Sequence, residues 1–283
     1  LREHAGRASV ATDEIERDLH RSLPEHELFQ TDAGLAALRR VLTAYSWHNP
    51  QIGYCQSMNI VCAMLLVLLS EEQAFWLLAT IVDELVPEYY RKSMVGSSVD
   101  QKVLEELVAT HMPDVAAHLQ SIGLPIIIVS LPWFLCLFIG YVPLEVALRI
   151  LDCFFLDGPR VLFQVGLATF RVRRDGLLAT ADPIAVRELM RGDVEPNALL
   201  ESAFEHFASV PAAAIIEMRN RHKFQTIADL HDKNKTSLLR ELAARTAFTR
   251  DELAAFHGAF HAALGMVAAD AAGGASGGGG VAL

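Results

Sequence analysis

The stretch Ser57–Ser70, SMNIVCAMLLVLLS, is apolar around its whole circumference when wound as a helix. A helix without a polar stripe must be covered on every side, so this segment predicts a buried central helix. Its neighbours read the same way. Upstream, DAGLAALRRVLTAYSWHNP (32–50) repeats Leu35, Leu38, Val41, Leu42 and Tyr45 at helical spacing and ends at Asn49-Pro50. Downstream, EEQAFWLLATIVDELVP (71–87) is amphipathic and stops at Pro87. SSVDQKVLEELVATHMP (97–113) follows, with Ser97 or Ser98 as its cap. PLEVALRILDCFFLDG and RVLFQVGLATFRVRRDGLL predict two more core helices, parted at Asp157-Gly158-Pro159. PIAVRELMRG and NALLESAFEHFASV add shorter ones. No run of alternating residues marks a sheet, and IIIV (126–129) is the one β-like patch. The fold class is all-α, built from many helices.

Bulk properties narrow the function. The chain has 283 residues, a hydrophobic fraction of 52%, a mean hydropathy of +0.28 and a net charge of −10. An acidic chain of this kind argues against a general nucleic-acid binder, so no nucleic-acid partner is expected, and a neutral or basic partner surface suits it. The four cysteines, Cys55, Cys62, Cys136 and Cys153, lie in apolar surroundings without CxxC spacing, which predicts buried free thiols in a reducing compartment. The polar opening LREHAGRASVATDE predicts no signal peptide, and the absence of an initial Met predicts a piece excised from a longer chain. From Leu119 to Leu144 there is no charge, a length that could span a bilayer. Pro125, Pro132 and Pro143 would break that run, and no Lys/Arg cluster flanks it, so buried helices of a core are the expectation.

Beyond Pro211 the composition turns polar. Residues 212–283 carry eight Lys/Arg against seven Asp/Glu, so the first 211 residues hold the chain's −10 less that +1, or −11. This separates a main domain over 12–225, a helical extension over 226–268, and a flexible Gly-rich tail over 269–283.

Several chemistries can be weighed on residue type. Cys55 as a nucleophile would take His48 or His20 as base, but no protease-like surroundings accompany it. His257 and His261 share a helix face without a third zinc ligand. No Gly-rich loop followed by Lys-Ser/Thr is present, and DLHDKNK (229–235) lacks the glycine and terminal Glu of a calcium loop. Two polar segments remain. Just ahead of IERDLHRSLP (15–24), Thr12 or Asp13 can cap a helix, with Glu16 three residues after Asp13 in capping-box position. That helix runs to about Arg21 and stops before Pro24. Ile15, Asp18 and Leu19 share a face, and Arg21 sits three residues beyond Asp18, where the carboxylate can hold the guanidinium. Taken alone this is equally a surface ion pair. In NPQIGYCQSMN (49–59), Gly53 permits a tight turn, and Tyr54 and Gln56 project to one side of extended chain. A helix starts near Ser57, leaving Gln56 at its electropositive end. Taken alone this is equally a cap beside a packed tyrosine.

Together, IERDLHR as IxxDxxR and GYCQ as YxQ, in this order and about 35 residues apart, resemble the signature motifs of the TBC domain of Rab GTPase-activating proteins. SLPEHELFQ, LRRVLTAYSWHNPQIGYCQSMNI, EEQAFWLL, VDQKVLEEL, SLPWFLCLF and LDCFFLDGPRVLFQ extend the likeness over roughly 12–225. The resemblance implies a two-lobed all-α domain with a groove lined by Arg21 and Gln56. It implies that the protein is no enzyme itself but activates GTP hydrolysis on a Rab, with Arg21 as arginine finger and Gln56 as a second finger orienting water. Asp18 would anchor Arg21, Tyr54 would help place Gln56 and meet the Rab, and Ile15, Gly53 and Asn59 would support the pair. GTP and Mg would belong to the Rab, with no cofactor of the chain's own. The alternative within the family is a scaffold that binds a Rab without stimulating it; keeping both fingers argues against that. IIEMRNRHKFQTIADL resembles the subgroup with a lipid-binding GRAM domain before this module and an EF-hand-like region after it, with FTRDELAAFHGAF leading into the latter. A cytoplasmic protein in vesicle trafficking, recruited peripherally to endomembranes through regions outside this chain and without a transmembrane segment, is what this implies. Ser57 stands where the family often has glycine, and the family's N-terminal Arg/Trp motif is not recognisable before Ile15.

Overall fold

Helix α3 spans Met58–Leu68, and Met58, Asn59 and Val61–Leu66 are buried, as an unstriped helix requires. The computed structural model describes residues 11–192, 194–245, 248, 249 and 251–259. Two compact units divide the chain, one ending at Thr226 and the other beginning at Ile227.

In the first unit the principal contacts fall into two groups. One joins α3 with α1 (Thr12–Leu19), α2 (Asp32–His48) and α4 (Glu71–Thr80). The other holds α5 (Val95–His111), α6 (Pro113–Ser121), α7 (Ile127–Leu135), α8 (Leu144–Asp157), α9 (Arg160–Val172), α10 (Arg174–Leu178), α11 (Pro183–Arg191) and α12 (Pro196–Glu201). Helix α9 is the centre of the second group: every residue from Val161 to Phe170 is buried, and it packs against α5, α7, α8, α10 and α12. Helix α13 (Ala212–Arg245) begins in this unit. The architecture is all-α; among the described residues the only extended pairing is an isolated bridge between Ile139 and Val142. In the second unit, the residues of α13 beyond 226 and residues 251–259 are helical. Thr249 and Glu252 cap the latter reciprocally, with bonds of 2.8 and 3.3 Å. The Gly-rich tail expected over 269–283 lies outside the described residues.

Several local expectations change. The predicted β-like IIIV lies in the chain entering α7 and in its first turn. The charge-free run becomes α7, a loop with Leu137 and Phe138 in left-handed backbone, and the start of α8. No described helix is long and apolar enough to cross a membrane. Helix α5 starts at Val95, ahead of the expected Ser97 or Ser98. Its entry is a left-handed Met94, and Gly96 lies so close to Pro87 O that a Cβ there would be 2.3 Å away. Neither Thr12 nor Asp13 caps α1, because both already lie in its first turn. Glu16 instead forms a two-point ion pair with Arg39 of α2, its second bond 3.0 Å long, which lowers the Glu16 pKa. Nor does Pro24 end α1. The helix stops at Leu19, where two i→i−3 bonds tighten the chain (Arg21 N to Asp18 O and Ser22 N to Leu19 O, both 3.2 Å) and the Ser22 hydroxyl occupies Asp18 O at 2.7 Å.

The most deeply buried carboxylate of this core is fully paired. Asp100 of α5 is 1% exposed and receives the Tyr89 hydroxyl and both edges of the Arg219 guanidinium, at 2.6 Å each, from the first turns of α13. Arg219 also lies over the Phe163 ring, 5.5 Å from its centroid.

Candidate functional site

The site assembles around the last turn of α1. Ile15, Asp18 and Leu19 lie on one buried face, as their spacing predicts, and carry Asp18 into the interior at 3% exposure. One carboxylate oxygen of Asp18 pairs with the Arg21 guanidinium, and the other accepts the Tyr54 hydroxyl at 2.6 Å. The Arg21 side chain is itself 55% exposed. A buried anion thus holds one terminal nitrogen, Nη2, of a cation whose side chain is more than half exposed.

The second polar segment is tied to the first through Asn59. Its amide nitrogen donates to Ser22 Oγ at 2.7 Å and to Asp18 O at 3.3 Å, while its Oδ1 accepts the Ser57 N–H at 3.1 Å. Asn59 therefore fixes the chain after Arg21 to the chain after Gln56. Gly53 turns the approach to Tyr54 with φ of +67°, a conformation that favours glycine. Ser57, just before α3, sits at φ +88° without glycine's freedom. Its hydroxyl reaches the buried Cys136, whose thiol burial pushes up to about 11.

Tyr54 and Gln56 do not share surroundings. Tyr54 is buried, whereas extended chain ends at Cys55 and Gln56 lies exposed in the turn before α3. Burial, and then the hydrogen bond and charge of Asp18, raise the Tyr54 pKa, so the phenol keeps its proton and stays a donor. Burial also raises the Cys55 pKa, with Glu14 and Asp18 adding to it, which removes the thiolate that a nucleophile needs. His48 packs its ring against Phe75 and Trp76 at 5.4 and 5.8 Å. Among the described residues no group of three or more His, Cys, Asp or Glu could hold a metal; His261 lies outside them.

A groove of about 400 Å³ opens beside Arg21, lined also by Leu23, Ile60, Ile139, Tyr141 and Arg191, so that both helix groups contribute walls. Gln56 was expected to line it and does not; it stands in the adjoining turn. Sequence reasoning missed three participants. Ser22 could have been found, since a hydroxyl four residues after Asp18 is placed to take its carbonyl. Nothing local marks Tyr141 or Arg191, which reach the groove from far along the chain.

The geometry describes a helical module that offers a guanidinium held by a buried carboxylate at the mouth of a cleft whose lining contains a second arginine and no acid. The Rab-GTPase-TBC domain family matches residues 2–178, and the chain belongs to that family. A relative from Emericella nidulans, provisionally named a GTPase-activating protein, is 41% identical over 285 residues, 93% of this chain and 25% of its own. The GTPase-activating protein gyp2 of Schizosaccharomyces pombe is 34% identical over 90% of this chain and 38% of its own. The crystal structure of a Chlamydomonas flagellar RabGAP TBC domain superposes with a TM-score of 0.65 and 35% identity, covering 72% of this chain and 71% of that one. The chain thus spans between a quarter and two fifths of these curated relatives' length.

Proposed function

We propose that this chain accelerates GTP hydrolysis by a Rab-family small GTPase, supplying Arg21 and Gln56 in trans. The observation that carries this reading is the division of the Asp18–Arg21 pair between interior and solvent. A surface ion pair would expose both members; here the carboxylate is buried and held by Tyr54, while the guanidinium projects at a groove. Phosphoryl transfer asks for positioned positive charge more than for covalent chemistry. Arg21 neutralises charge developing on the transferring phosphoryl group. Gln56, exposed beside the N-terminus of α3, orients the attacking water. GTP and Mg come with the partner. Arginine fingers as a class contribute about 10³–10⁵ in rate, equivalent to about 4–7 kcal/mol of barrier.

The wider setting belongs to the same reading. The chain is the TBC part of a longer cytoplasmic protein of the subgroup with GRAM and EF-hand-like flanks, recruited peripherally to endomembranes. The IIEMRNRHKFQTIADL resemblance and the greater length of the relatives support this.

Single-turnover hydrolysis over a panel of GTP-loaded Rabs tests the activity. Arg21→Ala and Gln56→Ala should each lower the rate at least about tenfold on the best substrate; the exposed Gln56 should leave the melting temperature unchanged, and Arg21→Ala, which takes the cation from Asp18 but leaves it the Tyr54 hydroxyl, should lower it by no more than about 4 °C. Full activity in Arg21→Ala overturns the assignment. An Arg21→Lys change should fail too, since a point charge lacks the planar fork.

A further inference from the structure

We propose that Arg191 is a second contact residue of the groove, receiving an acidic side chain of the GTP-loaded GTPase and setting affinity for it. This rests on the function proposed above and adds a residue that it does not use.

Arg191 is the last residue of α11 and lines the same groove as Arg21. The other walls are uncharged: Leu23, Ile60, Ile139 and Tyr141. Among the described residues no carboxylate lies within ion-pair distance of Arg191. Elsewhere this acidic protein pairs its arginines freely, as in Arg39–Glu16, Arg40–Glu71 and Arg174–Asp114. With Arg21 already paired to Asp18 behind it, Arg191 is the uncompensated charge of a cleft whose lining holds no acid, in a region that carries −11. Its complement is a carboxylate brought by the partner.

The backbone that carries Arg191 is fixed. Arg173, only 8% exposed, donates from Nε to Leu189 O at 3.0 Å and from Nη2 to Gly192 O at 2.6 Å. These carbonyls flank Arg191, so a buried guanidinium pins the helix end from which the exposed one extends. That pre-organisation reduces the ordering needed when a partner docks. Arg21 engages the phosphates, whereas Arg191 acts on the protein surface. The two should therefore separate kinetically.

The test uses the 283-residue chain and whichever Rab it stimulates most, with hydrolysis followed across GTPase concentration and ionic strength. Arg191→Ala should raise KM about tenfold with kcat within about twofold, and flatten the fall of kcat/KM with salt. Arg191→Glu should lose more and gain from added salt. Arg191→Lys keeps a positive charge at the end of α11, so a purely structural role predicts that it matches the parent, and that the alanine variant changes melting temperature rather than KM. Unchanged KM and salt slope in Arg191→Ala overturn the proposal while Arg21→Ala still reports on the activity. A kcat loss like that of Arg21→Ala overturns it as well, by assigning Arg191 to the phosphoryl group. If a GTP-loaded Rab binds without being stimulated, the activity fails alone and the same comparison is made in Kd. If none binds, both fail.

Discussion

Asp18→Asn isolates the charge that aims Arg21. Asparagine keeps the size and one acceptor oxygen, so no cavity opens. The Asp18 carboxylate accepts from two donors, the Tyr54 hydroxyl at 2.6 Å in the interior and the guanidinium of Arg21, whose side chain is 55% exposed. Hydrogen bonds to charged groups contribute about 1.5–3 kcal/mol and neutral ones about 0.5–1.5. The Tyr54 bond should therefore lose about 1–2 kcal/mol, and the Arg21 bond, screened by solvent, less than about 1 kcal/mol. A total near 1–3 kcal/mol corresponds to a fall in melting temperature of about 2–12 °C for a unit of this size. Activity should suffer more than stability. A guanidinium no longer held by an anion samples other rotamers, and misplacement by about 1 Å costs on the order of 100-fold. Single-turnover hydrolysis at saturating protein, 20 °C below the variant's melting temperature, should fall about ten- to a hundredfold, with Kd for the GTPase nearly unchanged. A rate within twofold of the parent, in a folded variant, would refute the claim that Asp18 orients Arg21.

Three further outcomes concern the scaffold. Arg219→Met leaves Asp100 buried without its cation and should cost about 3–5 kcal/mol in urea unfolding, largely recovered by adding Asp100→Asn; equal stability of the single and double variants would count against this. Gly34→Ala should destabilise by about 1–3 kcal/mol, because a Cβ there would lie 2.0 Å from Leu28 O, and thermal melts check it. Stability should fall as pH rises above the ordinary thiol range near ~8.5, because burial raises the pKa of Cys62, Cys136 and Tyr54. Their protonated forms are favoured in the fold, so the unfolded chain releases protons first and alkali favours unfolding. A flat urea midpoint between pH 7 and 10.5 would contradict that.

Much of the framework was legible because helical burial leaves a local imprint. The unstriped α3, the repeat through α2 and the i, i+3 spacing of Asp18 and Arg21 need only nearest neighbours to interpret. What was illegible depends on distant partners. The end of α1 is set by Ser22 and by Asn59, the latter 41 residues away, and not by the visible Pro24. IIIV has β-branched composition, yet it enters a helix, with Ile126 and Val129 buried three residues apart and Ile127 and Ile128 exposed, a helical spacing that outweighs propensity. The tie from Tyr54 to Asp18 crosses 36 residues, and Arg191 reaches the groove from a helix whose sequence shows only ordinary amphipathic spacing.

The Asp100–Arg219 contact bears on how short a working fragment can be. The family match closes at residue 178, which invites a cut there or soon after. A chain cut before α13 would lack Arg219, and also Arg221 and His222, which hold Glu106, and Lys223, which holds Glu88. Three acids on or before α5 would lose their cations at once, one of them inside the core. A fragment meant for crystallisation or assay should therefore run past Lys223.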